Sequence, residues 1–106
     1  MAEPNREIFI DLELDIRIRY RRSEPPPPFR YAITLEILVE TRWTTVRLWD
    51  NADAVDEHHE HPYTRAQGKQ PPAILPFASG NAAMAAAIER AATEWPTIVR
   101  RWRGEE

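Results

Sequence analysis

Residues 7–20 read EIFIDLELDIRIRY, and apolar and polar side chains alternate through nearly all of them. Apolar residues from Ile8 to Tyr20 take the even positions, and charged residues take the odd positions except at Phe9. A period of two over this length is typical of a β-strand with one buried face. The stretch therefore predicts one long strand that begins a sheet.

The alternation returns after a run of four prolines, which ends the first strand because proline cannot donate a hydrogen bond to a sheet. It predicts strands over 30–39 and 42–50, joined by a tight turn at Glu40 and Thr41 or by a four-residue loop of the same register. That register pairs Ile33 with Leu48 on the apolar face. It places three large side chains on the opposite face: Trp43, Arg47 and Trp49.

Weaker patterns predict further strands over 57–64 and 73–77. Ser79 before an alanine-rich segment is a helix start signal, and apolar residues then recur every three or four positions over 81–102. Pro96 predicts a kink in this helix. We therefore expect a single α+β domain over 1–106, an antiparallel meander of three to five strands with one long C-terminal helix packed on one face.

Composition limits the classes of function. The chain has 106 residues, a net charge of −3 and no cysteine, which excludes disulfides and thiolate metal sites. The acidic balance counts against a nucleic-acid partner, although charge can be concentrated locally. No signal peptide is visible and the apolar stretches are too short to span a bilayer, so we expect a cytoplasmic protein without a membrane partner.

The three histidines of the chain, His58, His59 and His61, fall within four positions. Five acidic residues surround them: Asp50, Asp53, Asp56, Glu57 and Glu60. One interpretation is a metal-independent ribonuclease, in which histidines transfer protons and cations stabilise the phosphate charge. The cations for that role are Arg47, Arg65 and Lys69, and the rings that would stack bases are Trp43, Trp49 and Tyr63.

Two other interpretations compete. On a strand, His59 and His61 project from the same face and would share a divalent metal ion with Asp50 or Asp56. Alternatively, the segment is a solvated polar strand and loop without chemistry. A pair of exposed tryptophans, Trp43 and Trp49, would in that case mark a surface for a partner protein or a second copy of the chain.

The segment VRLWDNADAVDEHHEHPY, residues 46–63, resembles the TumE-like toxins of type II toxin–antitoxin systems. The elements that match are Trp49-Asp50-Asn51 and His58-His59-Glu60-His61, within a similarity that covers about residues 30–103. The resemblance implies Asp50, Asn51, His58, His59 and His61 as site residues and an antitoxin as partner. The chain departs from the family at Trp49, where tyrosine is usual, and in its acidic loop.

We therefore expect the toxin-like component of a prokaryotic toxin–antitoxin pair, an endoribonuclease that acts on RNA without a cofactor. His59 and His61 would transfer protons, Arg47 would hold the phosphate, and Asp50 with Asn51 would orient a histidine. The remaining site residues are His58 and Tyr63 in the catalytic group, and Trp49, Arg65 and Lys69 in the substrate group. The alternative is a non-catalytic interaction module, a homodimer or a domain of related fold. The catalytic hypothesis requires that the imidazoles, Asp50 and Arg47 meet in one recess.

Overall fold

The computed structural model describes residues 5–26, 28–54, 57–77 and 79–104. Its strands are β1 (Asn5–Glu13), β2 (Ile16–Ser23), β3 (Tyr31–Val39), β4 (Arg42–Ala54), β5 (Glu57–Thr64), β6 (Gly68–Lys69) and β7 (Ala73–Leu75). They are followed by one helix, α1 (Gly80–Arg103). The predicted α+β fold, an antiparallel sheet with one long C-terminal helix packed on it, is confirmed.

In the described part of the chain the sheet has seven strands, more than the three to five that were predicted. The first six lie in chain order, each antiparallel to the next. The outer edge of β5 is shared, because β6 pairs with its end at Tyr63 and Thr64 while β7 pairs with its beginning. β6 was not predicted, since two residues are too few to show a period.

The helix lies across one face of the sheet and packs mainly on β2, β3, β4 and β5. Ser79 caps its first turn by accepting a hydrogen bond from the Ala82 amide, as predicted. The helix continues through Pro96 as one element. Its buried residues are Ala83, Met84, Ala87, Ala91, Ile98 and Val99. No helix in the described part of the chain has both the length and the apolar character needed to span a membrane.

The predicted single strand over 7–20 is wrong, because the chain turns back at Leu14 and Asp15. Asp11 pairs with Arg17 whereas Glu13 pairs with Ile16, so β1 carries an extra residue beside the turn. A two-residue turn alone would place odd-numbered residues on one face before the turn and on the other face after it. The extra residue reverses this change, so even-numbered residues stay on one face throughout. The alternation therefore passes through the turn unbroken, which hides a hairpin in the sequence.

A second bulge corrects the predicted register of β3 and β4. The two-residue turn at Glu40 and Thr41 is present, but Glu36 pairs with Thr45 while Leu35 pairs with Arg47. Val46 is the extra residue, and every later residue of β4 is displaced by one position. Trp49 consequently lies opposite Ile33 on the helix side of the sheet and is only 1 % exposed.

The expected surface built from Trp43 and Trp49 is therefore wrong. Trp49 belongs to the hydrophobic core under α1. Trp43 lies on the sheet face opposite α1, which we call the distal face, and the Arg17 guanidinium stacks 4.0 Å from its ring centroid. The indole of Trp49 is buried and presents no open face to a stacked base, so its burial does not support the predicted role in substrate binding.

Truncation of each tryptophan tests this placement. Trp49→Ala should lower the free energy of unfolding by about 3–5 kcal/mol, because it removes a large buried side chain from the core. Trp43→Ala should cost about 1 kcal/mol, since it removes mainly the stacking with Arg17. Urea unfolding followed by circular dichroism measures both. Equal losses for the two variants would contradict the inward orientation of Trp49.

Candidate functional site

The histidine cluster is divided between the two faces of the sheet. Consecutive residues of a strand point to opposite faces, so His58 and Glu60 face the helix while His59 and His61 face the distal side. His58 Nδ1 lies 2.8 Å from the Tyr31 hydroxyl, and its ring meets Phe77 edge-on. The expectation that all three imidazoles share one recess is wrong.

Asp50 joins His59 and His61 on the distal face. It pairs directly with His59 across β4 and β5, and His61 lies two residues further along β5. One ligand atom from each of the three side chains lies within 4.8 Å of the others. The three residues are 6 %, 3 % and 8 % exposed, respectively for Asp50, His59 and His61. They form a compact, buried set of two imidazoles and one carboxylate.

Each of these two imidazoles forms a hydrogen bond with an acceptor through one ring nitrogen. The Glu57 carboxylate lies 2.8 Å from His59 Nε2, and the Gln70 carbonyl oxygen lies 3.1 Å from His61 Nδ1. A carbonyl or an ionised carboxylate can only accept, so these two ring nitrogens donate. In neutral imidazoles the lone pairs then reside on His59 Nδ1 and His61 Nε2, the nitrogens that can bind a metal.

Asp50 completes the set with a buried acceptor. Its Oδ1 atom makes no hydrogen bond to the described part of the chain, and His61 Nε2 lies 3.6 Å away. Burial raises the pKa of Tyr31 to about 12, with the negative charge of Asp50 adding to the effect. The same two causes raise the pKa of Tyr63. The carboxylate thus has an electrostatic influence on both faces of the sheet.

Arg47 lies on the opposite side of the sheet from this set, because the Val46 bulge turns it toward the helix. Its Nη1 donates to Glu60 Oε2 at 2.5 Å. Glu60 Oε1 also accepts from Trp49 Nε1 and from Arg90 Nη1, each at 2.9 Å. Arg47 therefore helps to tie the sheet to α1, and its predicted meeting with the histidines and Asp50 is wrong.

Asn51 is fully buried, and its side-chain amide bonds to two backbone groups. Its Oδ1 accepts from the Tyr31 amide at 2.8 Å, and its Nδ2 donates to the Phe29 carbonyl at 2.8 Å. These bonds hold the entrance of β3 against the irregular end of β4. The amide thus positions the segment that carries Asp50.

The other predicted site residues are dispersed. Tyr63 shares the distal face with His59 and His61 and is partly exposed. Lys69 pairs with Tyr63 across β5 and β6, and its side chain is exposed. Arg65 lies over the Trp102 ring at 5.6 Å, on the helix side. The side chains of Asp53 and Asp56 lie outside the described residues.

Sequence reasoning missed the two groups that support the histidines. The contact between Glu57 and His59 could have been predicted, because a residue two positions before His59 on a strand shares its face. No sequence pattern predicts the contact between the Gln70 carbonyl and His61, since this backbone oxygen is brought to the ring by the return of the chain after β6.

Comparisons with protein-family models, with curated proteins and with solved structures find no match to this chain. The resemblance to TumE-like toxins therefore remains a prediction from the sequence. The assignment of the site depends on the geometry of Asp50, His59 and His61.

The raised pKa of Tyr31 predicts a loss of stability in alkali. In the unfolded chain this hydroxyl ionises near its ordinary pKa of 10, whereas in the folded chain it stays protonated to about pH 12. The free energy of unfolding should therefore fall as the pH rises from about 10 to about 12. Tyr31→Phe should make this decline shallower in urea unfolding at pH 9, 10 and 11. An unchanged decline would contradict the assignment.

Proposed function

We propose that this protein binds one divalent transition-metal ion through Asp50, His59 and His61. The observation that carries the proposal is the meeting of three ligand atoms from buried residues within 4.8 Å, one of them in a carboxylate whose Oδ1 makes no hydrogen bond to the described residues. Buried polar atoms are nearly always satisfied, and a buried charge without a partner is costly. A cation between the three side chains would remove that cost.

The support behind the ligands is of the kind that metal sites use. Histidines that bind a metal commonly donate their second ring nitrogen to a carboxylate or a backbone carbonyl, which fixes the tautomer and the ring orientation. Glu57 does this for His59 and the Gln70 carbonyl does it for His61. Both imidazoles are thus oriented before any ion arrives.

Two imidazole nitrogens and one carboxylate oxygen suit Zn²⁺, and they are also the ligand set of many non-haem Fe²⁺ sites. Three protein ligands leave a coordination position for water or a ligand, as in catalytic rather than structural zinc sites. A metal held there would supply Lewis-acid chemistry and an activated water. We therefore propose a reactive metal centre on the distal face.

A toxin-like function remains a second proposal, supported by the resemblance. Three of the five residues that the resemblance implies, Asp50, His59 and His61, are those of the proposed metal site. Arg47, the first cation expected to hold a phosphate in a metal-independent ribonuclease, is engaged by Glu60 on the helix side, which favours a metal over Arg47 as the source of positive charge. A toxin acting through this site would accordingly depend on the metal.

Metal binding is tested by titrating the purified apoprotein with Zn²⁺ in a calorimeter and with Co²⁺ in a visible spectrometer. We expect one ion per chain. Asp50→Ala and His61→Ala should abolish the high-affinity isotherm. Glu57→Ala should weaken binding by about 10–100-fold, because it removes only the support behind His59.

The matched control is His58→Gln, which alters the neighbouring histidine on the other face and keeps an amide to bond Tyr31. Its affinity for Zn²⁺ should equal that of the wild type. A wild type that binds no ion, or a His58→Gln variant as impaired as His61→Ala, would refute the proposed site.

The toxin proposal is tested by expressing the chain alone in a bacterial host. Growth should arrest with the wild type and with His58→Gln, and the double variant His59→Ala with His61→Ala should relieve the arrest. Normal growth while folded wild-type protein accumulates in the cells would count decisively against a toxin.

A further inference from the structure

One row of side chains crosses the distal face from β2 to β5. Arg21 pairs with Ala32, Ala32 pairs with Asp50, and Asp50 pairs with His59. Cross-strand partners share a face, so Arg21 and the proposed metal ligands point to the same side of the sheet. Only the methyl group of Ala32 stands between Arg21 and Asp50 in this row.

Arg21 differs from the other arginines of β2. Arg17 binds Glu36, Arg19 binds Glu7, and Arg22 stacks on the Phe29 ring. The Arg21 guanidinium makes no hydrogen bond or ion pair with the described residues, and its Nε atom is buried without a hydrogen-bond partner. The buried Nε–H of Arg21 therefore lacks the acceptor that buried polar atoms normally have, while the rest of this partly exposed side chain can reach a ligand.

The gap between Arg21 and Asp50 suits a small ligand. Adjacent strands lie about 4.8 Å apart, so the backbones that carry these two residues are separated by about 10 Å. Ala32 is partly exposed, which leaves the floor of the gap open to solvent. A long arginine side chain and a metal ion beside Asp50 would face each other across this floor.

The charges around the gap favour an anion. Glu7, the partner of Arg21 across β1 and β2, is engaged by Arg19, and Glu36 is engaged by Arg17. A divalent ion would balance the negative charges of Asp50 and of Glu57, which lies 2.8 Å from His59 on the same face, and Arg21 would then leave a net positive charge. An oxyanion is the group that both a guanidinium and a metal ion bind well.

We propose that the protein binds a ligand bearing an oxyanion, phosphoryl or carboxylate, over Ala32, with the Arg21 guanidinium on one side and the metal ion on the other. This inference rests on the proposed metal site. Arg21 is the ligand-binding residue, and the open coordination position of the ion is the second point of attachment. The small side chain of Ala32 is what makes room for the ligand.

The test uses the full chain loaded with Zn²⁺ and two probes of similar size, phenyl phosphate and benzoate, in calorimetric titrations. At least one probe should bind the loaded wild type, and the tighter one identifies phosphoryl or carboxylate as the preferred group. Arg21→Ala should weaken binding of that probe by about tenfold or more, the loss expected for a charge-assisted hydrogen bond.

The matched control is Arg22→Ala, which removes the neighbouring arginine that stacks on Phe29 on the other face of β2. It should bind the probe as the wild type does. Zn²⁺ affinity, measured first without probe, should be equal in the wild type and both variants, which separates ligand binding from metal binding.

A wild type that binds Zn²⁺ but neither probe, or an Arg21→Ala variant with undiminished probe affinity, would overturn this inference and leave the metal site standing. A wild type that binds no Zn²⁺ would overturn both. Zn²⁺-free protein should bind the probe more weakly than loaded protein, and equal affinities would contradict the bridging arrangement.

Discussion

The extra residue Val46 in β4 controls which side chains reach each face of the sheet. Without it, Trp49 would lie on the distal face and Asp50 would face the helix, where His59 and His61 could not meet it. With it, Trp49 enters the core while Asp50 pairs with His59 on the distal face. A bulge changes the face of every later residue at the expense of one ladder position. The core and the candidate site therefore depend on the same local irregularity.

Two buried carboxylates on opposite faces of the sheet differ in how far the protein compensates their negative charge. Glu60 and Asp50 are each 6 % exposed. Glu60 receives hydrogen bonds or ion pairs from Arg47, Trp49 and Arg90, so its charge is compensated by the protein itself. Asp50 Oδ1 accepts no hydrogen bond from the described residues, and His61 Nε2 lies 3.6 Å away. This contrast is the physical reason for placing a cation at Asp50 and none at Glu60.

The distal face combines this carboxylate with features that a purely structural surface does not require. Both neighbouring imidazoles are oriented by acceptors behind them, and Arg21 lies in the same row with a buried Nε that has no hydrogen-bond partner among the described residues. The helix side, in contrast, uses its polar groups to close the core: His58 bonds Tyr31, and Asn51 holds the entrance of β3. Polar side chains near the histidines thus stabilise the fold on the helix side of the sheet. On the distal face they are proposed to bind a ligand.

The sequence alone determined the α+β class, and it indicated a strand over 57–64 and the Ser79 cap of α1, because these follow from local periodicity and capping chemistry; it left the turn at Glu40 and Thr41 open against a longer loop. It also indicated that His59 and His61 share a face. The hairpin inside 7–20, the inward turn of Trp49 and Arg47, the Gln70 carbonyl behind His61 and the row from Arg21 to Asp50 were decided by tertiary structure. A bulge leaves no mark in an alternating pattern, and cross-strand partners are fixed by register, which depends on the packing of the whole sheet.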